Sequence, residues 1–340
     1  MIQPDSCSPT TANAAAPRSA MRRRLLLSGA LGLGCAPLFA QGFPARPITL
    51  VVPFAPGGAA DGTARRLAEA MGKYLNATVV VENRPSAGAL VATTHVARAA
   101  KDGYTLLFST TNALSLNPFI YRTLPYKPED ITPISMVSKQ AFVLNSAVSA
   151  PFRTVPEFVA WAKAQSNGVQ VGTTGVGTTT HILIEWIAQE LGFKLNIVPY
   201  KGTGQSTIDL LAGRIQLQMD GIATAVQLHR AGKSRIVAAM GEERSILPDG
   251  VPNFREAGFP ALVAYAEFGL MAPTGTPEPV LARLHAAVAA AVQQPEFKDR
   301  LAPNGEIAVA SASPGEYARR IAAEKSRWER IVKPMQLQLD

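Results

Sequence analysis

Two glycine-rich loops hold the backbone groups best suited to binding an anion. The first, PFAPGGAAD (53–61), follows the apolar run ITLVV, and the second, VGTTGVGTTTH (171–181), precedes another helical stretch. The first N–H groups of a helix have no partner inside the helix and carry partial positive charge. Each loop is therefore a candidate cradle for a carboxylate or a phosphate. His181, at the end of the second loop, is either a ligand contact or a structural residue at the helix start.

The first loop does not follow the common nucleotide-binding patterns. A Walker loop needs a lysine after its last glycine, whereas Thr63 follows Gly62 here, and the sequence contains no G-x-G-x-x-G. By itself the stretch is equally consistent with an ordinary strand-to-helix turn in which Asp61 is the helix N-cap. A third loop, VPYKGTGQS (198–206), contains Lys201, which is either a charge partner for a ligand or simply solvated.

The sequence contains no recognisable catalytic or metal-binding motif. It lacks G-x-S-x-G and H-E-x-x-H, and its four histidines fall in separate helical or loop contexts. Both cysteines, Cys7 and Cys35, precede residue 41, so the rest of the chain has neither a disulfide nor a thiol nucleophile. We therefore expect no metal, no cofactor and no enzyme activity. The alternative is an exported α/β hydrolase-type enzyme whose Ser-His-Asp set is assembled only by folding.

The first 40 residues are typical of an export leader. Three arginines (22–24) precede a short apolar run and small residues up to Ala40, and the run is too short to remain as a membrane span. We predict cleavage after Ala40 and a periplasmic location, by either the Sec or the twin-arginine route. A lipid anchor at Cys35 is disfavoured because Gly32 stands where a lipobox prefers leucine.

The charge pattern argues against nucleic-acid binding. The net charge is +8, but residues 1–40 account for three of these charges and leave +5 for the rest of the chain. These charges are scattered, with no basic run and little aromatic interleaving. A mild positive field that attracts small anions is what this distribution supports.

From residue 47 onward, short β-branched runs alternate with helical stretches. ITLVV precedes the helical TARRLAEAMGKYL (63–75), and VQVGTT precedes THILIEWIAQELG (180–192). This alternation predicts an α/β fold with mainly parallel sheets flanked by helices. Two runs, KQAFVLNSAVSAP (139–151) and AYAEFGLMAPTGTP (264–277), are interpreted as crossings between two lobes, and only helices are expected after the second.

These crossings predict a hinged, two-lobed clamshell. Domain 1 comprises residues 41–143 plus 267–340 and domain 2 comprises residues 144–266, with hinge strands near 139–150 and 262–272. In such folds the ligand lies between the lobes, at the carboxyl ends of the strands.

Several motifs together resemble one protein family. Five stretches are similar to parts of the Bug (TctC-like) proteins, the solute receptors of tripartite tricarboxylate transporters. They read PITLVVPFAPGGAAD, VVVENRPSAGA, KDGYTLL, IVPYKGTGQSTIDLLAGRIQLQMD and LPDGVPNFREAGFP. The resemblance spans residues 45–335 in order. It implies a monomeric, type II-like periplasmic binding protein that closes on a small mono-, di- or tricarboxylate and delivers it to a membrane permease. A sensor for a signalling partner would use the same ligand chemistry and is a second alternative.

The resemblance also implies which residues bind the ligand. In this family the first loop holds a carboxylate through backbone N–H groups. The implied residues are Phe54, Pro56, Gly57, Gly58, Ala59, Ala60 and Asp61 in the first loop, Thr110 and Asn112 after the third strand, Thr174, Gly175, Thr178 and His181 in the second loop, and Tyr200, Lys201, Gly202 and Asp220 beyond it.

The chain departs from the family pattern in three places. It reads NRPSAGAL where N-R-P-G-A-G-G is common, MDGIAT where F-D-N is common, and has threonines in place of serines in the second loop. These differences bear on which carboxylate binds more than on the ligand class.

Overall fold

The computed structural model describes residues 42–200 and 202–339, and the chain from Phe43 onward forms one compact unit. The expected export leader (1–40), with Cys35, lies outside the described residues, and so does Lys201. Among the helices that the structure describes, none has both the length and the apolar character needed to cross a bilayer.

The described residues contain ten strands and eleven α-helices. The strands are β1 (Ile48–Val52), β2 (Val79–Asn83), β3 (Thr105–Thr110), β4 (Ile131–Ala147), β5 (Val169–Thr173), β6 (Leu195–Pro199), β7 (Leu217–Gly221), β8 (Ser234–Ala239), β9 (Tyr265–Pro273) and β10 (Glu306–Ala308). The helices are α1 (Ala59–Leu75), α2 (Leu90–Ala97), α3 (Asn112–Ser115), α4 (Asn117–Ile120), α5 (Val155–Lys163), α6 (Thr179–Leu191), α7 (Thr203–Leu211), α8 (Ile222–Arg230), α9 (Glu278–Gln293), α10 (Pro295–Leu301) and α11 (Pro314–Val332).

The strands form one curled, mixed sheet flanked by helices, which confirms the predicted α/β class. The order is β2-β1-β3-β9-β4-β7-β5-β6, and β8 and β10 also pair with β4. Strands β1, β2 and β3 are parallel to one another, as are β5, β6 and β7. The two parallel triplets are joined through β4 and β9, which run antiparallel to their neighbours.

The long strand β4 pairs differently along its length. Residues 131–141 pair with β9, whereas residues 142–147 pair with β7 or β8. The two runs interpreted as crossings coincide with the last part of β4 and with β9. These strands therefore carry the chain between the two parallel triplets.

The C-terminal segment was expected to be entirely helical, and this prediction is wrong. Residues Glu306–Ala308 form β10, which pairs antiparallel with Ser138–Gln140 of β4. A three-residue strand is too short to show the period-2 alternation by which strands are predicted. The long helices of this segment pack as layers, with α9 against α1 and α11 against β4.

Burial on both faces explains why four of the five residues of β1 are apolar, with Thr49 as the exception. Leu50 and Val52 face a core shared with α1 and α9, while Val51 faces a second core shared with α2 and α11. The first core continues past Leu144 of β4 to Ile187 of α6. Helices α1 and α6 thus cover the same face of the sheet.

Close packing of α11 on β9 depends on Gly269. A Cβ at this position would overlap the hydroxyl oxygen of Tyr317, which is fully buried. We expect Gly269→Ala to lower the free energy of unfolding by about 1–3 kcal/mol, the usual cost of overpacking a core, as measured by urea denaturation. Gly315→Ala in α11 is the control, since its Cβ would make only ordinary contacts with Arg319. Equal effects of the two substitutions would contradict the close approach.

Candidate functional site

The strand pairing places two sets of loops opposite each other across the middle of β4. Strand β3 runs in the same direction as β4 and ends at Thr110, which lies level with Ser138 of β4 across β9. Strand β7 runs against β4 and ends at Gly221, which pairs with Phe142. Both strands therefore point at residues 139–141, and the four residue steps of β4 between their ends span about 13 Å.

The loops that follow the parallel neighbours of β3 and β7 lie beside the ends of these two strands. The two facing sets of strand ends and loops are called here the two edges. The first loop follows β1, which pairs in parallel with β3, and the second follows β5, which pairs in parallel with β7. The third loop follows β6, the parallel neighbour of β5. Except for Lys201, the predicted site residues thus gather at two facing edges, where α/β sheets usually bind ligands.

Asp61 organises the first loop from within α1. It is only 2% exposed, and its Oδ2 accepts hydrogen bonds from the backbone N–H of Gly57 at 2.9 Å and from Nε of Arg65 at 2.9 Å. Its Oδ1 accepts from Nδ2 of Asn83 at 2.8 Å. Burial by itself would raise the pKa of Asp61, but these hydrogen bonds outweigh burial and hold the pKa below its ordinary value.

Helices α1 and α6 begin in the same way. Their N-caps are Gly58 (φ −76°, ψ 169°), which has no side chain, and Thr178 (φ −75°, ψ 162°), whose side chain does not cap the helix. Asp61 is the third residue of α1, so it is not the N-cap that the plain-turn interpretation required. The third residue of α6 is His181, whose Nδ1 accepts the backbone N–H of Gly177 at 2.9 Å. In both loops a side chain inside the helix holds the glycine before the N-cap, and the first helical N–H groups receive no side-chain cap.

Phe54 anchors the first loop to the sheet. Its ring meets that of Phe268 edge-on, with 5.9 Å between centroids, and its carbonyl accepts a hydrogen bond from Asn83 at 3.0 Å. The residues that follow are Pro56, Gly57 and Gly58, all exposed, and Ala59 and Ala60, the first two residues of α1. The φ of Gly57 is +84°, a conformation that side chains disfavour. The base of the loop is therefore fixed while its tip meets solvent.

The threonines of the second loop hydrogen-bond to one another. Oγ1 of Thr180 accepts the backbone N–H of Thr174 at 3.0 Å and lies 2.9 Å from the Thr174 hydroxyl and 3.0 Å from the Thr178 hydroxyl. Thr178 also donates to the carbonyl of Gly175 at 2.7 Å. The hydroxyls of Thr174 and Thr178 therefore shape the loop in addition to any contact with a ligand.

One hydrogen bond connects the two edges directly. Nδ2 of Asn112, at the start of α3, donates to Oγ1 of Thr179, the first residue of α6, at 2.5 Å. Thr110, two residues before Asn112, is half-buried at the end of β3. The structure thus brings the residues expected after β3 next to those of the second loop. The sequence did not indicate Thr179, because nothing distinguishes it locally from the threonines on either side.

The third loop is tied to α7. The hydroxyl of Tyr200 donates to Oδ2 of Asp209 at 2.9 Å, and Asp209 also binds Arg214. The Tyr200 hydroxyl is therefore committed to a protein group. Gly202, with φ +116°, is the N-cap of α7, while Lys201 beside it lies outside the described residues.

Asp220, at the end of β7, is a buried carboxylate. It is 6% exposed, and its Oδ1 accepts hydrogen bonds from Oγ1 of Thr203 at 2.9 Å and from the backbone N–H of Gly221 at 2.8 Å. Burial raises the pKa of Asp220 to about 6 in spite of these bonds. The edge of the second loop therefore carries a carboxyl group that is protonated in mild acid.

Two polar side chains in the middle of the sheet were not indicated by the sequence. The carboxylate of Glu306 accepts hydrogen bonds from the hydroxyls of Ser138 and Thr63, and its burial raises its pKa. Gln140 of β4 has a fully enclosed Oε1 without a hydrogen-bond partner in the described part of the chain. No local signal could have found either residue, since both positions depend on pairing between strands that are distant in the sequence.

Comparison with known proteins gives a consistent result. A family model described as "Tripartite tricarboxylate transporter family receptor" matches residues 63–337. Protein BugT of Bordetella pertussis is 34% identical over 300 residues, which cover 88% of this chain and 92% of BugT. Two structures from Rhodopseudomonas palustris are also similar. MatC with bound malate is 33% identical with a TM-score of 0.76, covering 85% of this chain and 100% of MatC. A second protein, with adipate, is 30% identical with a TM-score of 0.80, covering 87% of this chain and 100% of that protein.

Removing the charge of Asp61 should loosen the first loop. In Asp61→Asn the side chain keeps one acceptor oxygen for three donors, so we expect the free energy of unfolding to fall by about 1.5–3 kcal/mol in urea denaturation. Glu69→Gln is the control on the same helix, because the ion pair of Glu69 with Lys73 is exposed and should matter little. If both variants were as stable as the wild type, the hydrogen bonds of Asp61 would not hold the loop.

The raised pKa of Asp220 makes stability depend on pH. An unfolded aspartate titrates near 3.8 and the folded one near 6, so the contribution of Asp220 is complete below 3.8 and is lost as the pH rises to about 6. Asn does not ionise, so we expect the stability of Asp220→Asn relative to wild type to increase by up to about 3 kcal/mol between pH 4 and pH 7. Urea denaturation across this range measures the difference.

Asp209→Asn is the control for this titration. Hydrogen bonds from Arg214 and Tyr200 lower the pKa of Asp209, so its contribution is present above its unfolded pKa and lost in acid. The relative stability of Asp209→Asn should therefore change little between pH 4 and pH 7 and increase only in stronger acid, opposite to Asp220→Asn. A pH-independent difference for Asp220→Asn would contradict the assignment.

Proposed function

The chain belongs to the tripartite tricarboxylate transporter receptor family, and from this premise we propose that it captures a small mono-, di- or tricarboxylate in the periplasm and delivers it to a membrane permease. The observation that carries the proposal is the matched pair of helix starts. Helices α1 and α6 approach the centre of β4 from opposite edges of the sheet, each with its first N–H groups free of a side-chain cap. A carboxylate oxygen is a suitable acceptor for such groups.

The ligands of two relatives support this ligand class. MatC was solved with malate and the second R. palustris protein with adipate, and both ligands are dicarboxylates. In this chain, one carboxylate would accept from the start of α1 and a second from the start of α6. The hydrogen bond from Asn112 to Thr179 joins the start of α3, which follows β3, to the start of α6.

The proposed capture uses two lobes that close on the ligand. Residues 41–143 plus 267–340 form one lobe and residues 144–266 form the other, hinged on β4 and β9. The change in the partners of β4 after residue 141 supports this division. A ligand that touches both lobes only when they are closed stabilises the closed form by its differential affinity.

Neutral donors can supply the necessary affinity if they are pre-positioned. A hydrogen bond to a charged acceptor contributes roughly 1.5–3 kcal/mol, and micromolar binding requires about −8 kcal/mol. Several such bonds suffice only when little ordering is needed on binding. The bonds of Asp61 to Gly57 and of His181 to Gly177 fix the two loops in advance.

Gly58 provides the test. Its φ of −76° suits any residue, and a Cβ would make an ordinary 3.6 Å contact with the carbonyl oxygen of Ala55, so Gly58→Leu should fold. The added side chain would cover the start of α1. We expect malate, adipate or citrate to bind the wild type in calorimetry and, at 100 times its dissociation constant, to add about 2.7 kcal/mol of stability. We expect Gly58→Leu to abolish this binding.

The matched control is Ala282→Leu, which adds the same bulk at an exposed position of α9. It should bind as the wild type does. Unchanged affinity of Gly58→Leu would reject α1 as a binding element. If sugars or amines stabilised the wild type and no carboxylate did, the ligand class itself would be wrong.

A further inference from the structure

Gln140 lies in the middle of β4, where the strand ends of both edges converge. It is paired with Ala266 of β9 on one side and with Glu306 of β10 on the other. Side chains of paired residues share a face, and Glu306 accepts a hydrogen bond from Thr63 of α1. Phe142, two residues further along β4, lies in the core that includes α6. Gln140 therefore faces the side of the sheet that α1 and α6 cover.

The side-chain amide of Gln140 has no hydrogen-bond partner within residues 42–200 and 202–339. Its Oε1 is fully enclosed beside Gly221, where an added Cβ would lie 3.5 Å from Oε1 and 3.7 Å from Nε2. Unlike Oε1, the Nε2 atom is not enclosed. A buried amide oxygen without a partner is unfavourable, and such groups are paired in most proteins. Nε2 is therefore the atom of this amide that a ligand can reach, whereas Oε1 would pair with a ligand only after the amide turns away from Gly221.

The neighbouring polar side chains on β4 are already paired. Nζ of Lys139 binds the carboxylate of Glu243 and lies over the ring of Tyr265, 4.6 Å from its centroid. The hydroxyl of Ser138 donates to Glu306. The amide of Gln140 is thus the polar group of this stretch that a ligand between the two edges would meet.

On the basis of the proposed function, we propose that Gln140 is a specificity-determining residue that hydrogen-bonds a hydroxyl group carried between two carboxylates of the ligand. Its accessible Nε2 can donate a hydrogen bond to the hydroxyl oxygen, and a turn of the amide would bring Oε1 to the hydroxyl proton. A plain methylene chain at the same place would leave the buried amide unsatisfied, which disfavours that ligand. The site therefore binds malate in preference to succinate, which has the same carbon chain without the hydroxyl.

Calorimetric titration of the wild type and of Gln140→Leu with malate and with succinate tests this assignment. We expect the wild type to bind malate about tenfold more tightly than succinate, or more, because the hydroxyl satisfies a buried amide. Leucine removes the polar atoms at similar volume, so the preference should fall to about threefold or less, with malate weakened and succinate little changed. Gln140→Met, which keeps the unbranched chain, should show the same loss.

Gln189→Leu is the matched control, because Gln189 is exposed on α6. It should keep the preference of the wild type. An unchanged preference in Gln140→Leu and Gln140→Met, or an equal loss for both ligands, would overturn the assignment. If the wild type binds dicarboxylates such as adipate without preferring malate to succinate, the inference fails and the proposed function stands. If it binds no carboxylate, the proposed function fails and the inference fails with it.

Discussion

The backbone hydrogen bonds of β4 are the constraint on which the rest of the structure depends. Four strands pair with it, all antiparallel to it: β9 and β10 along residues 131–141, and β7 and β8 along residues 142–147. Because β3 and β7 end level with positions only four residues apart on β4, the loops beyond them must face each other. A shift of one residue in this pairing would move Gln140 and Phe142 to the opposite face of the sheet and separate them from α1 and α6.

The two facing loops are fixed by the same arrangement of hydrogen bonds, made by different side chains. In the first, a carboxylate within α1 holds the glycine before the N-cap, and in the second an imidazole within α6 does so. A carboxylate near an anion site would repel the ligand, but Arg65 offsets the charge of Asp61 and Asn83 donates a hydrogen bond to its other oxygen. Histidine in its neutral form can accept the same hydrogen bond without any charge. Both loops therefore present backbone donors in a fixed position, which suits an acceptor bound mainly by neutral groups.

Buried carboxyl groups flank this region, and burial changes their electrostatic effect. Asp220 lies at the end of β7 and Glu306 beside the centre of β4, and burial raises the pKa of each. A carboxyl group that holds its proton more readily repels an anion less. Hydrogen bonds from Thr203 to Asp220 and from Ser138 to Glu306 satisfy these groups within the fold. The same burial that costs stability therefore reduces repulsion next to the proposed ligand.

Local patterns in the sequence were sufficient for the fold class and for most helices and strands of the two parallel triplets. Periodicity and glycine punctuation predicted α1, α6 and the strands before them, since these signals arise from residues close in the chain. They did not reveal α8, because it follows β7 with no turn between them. They also did not reveal β8 or the first half of β4. The glycine-rich loops and the residues matched through the family resemblance predicted residues on both edges of the proposed site. What only the tertiary structure decided is how those edges meet: the contact of Asn112 with Thr179, the hydrogen bond of Tyr200 to Asp209, and the place of Gln140 beside Gly221. These features depend on strand register over long sequence separations, which side-chain periodicity along a single segment does not encode.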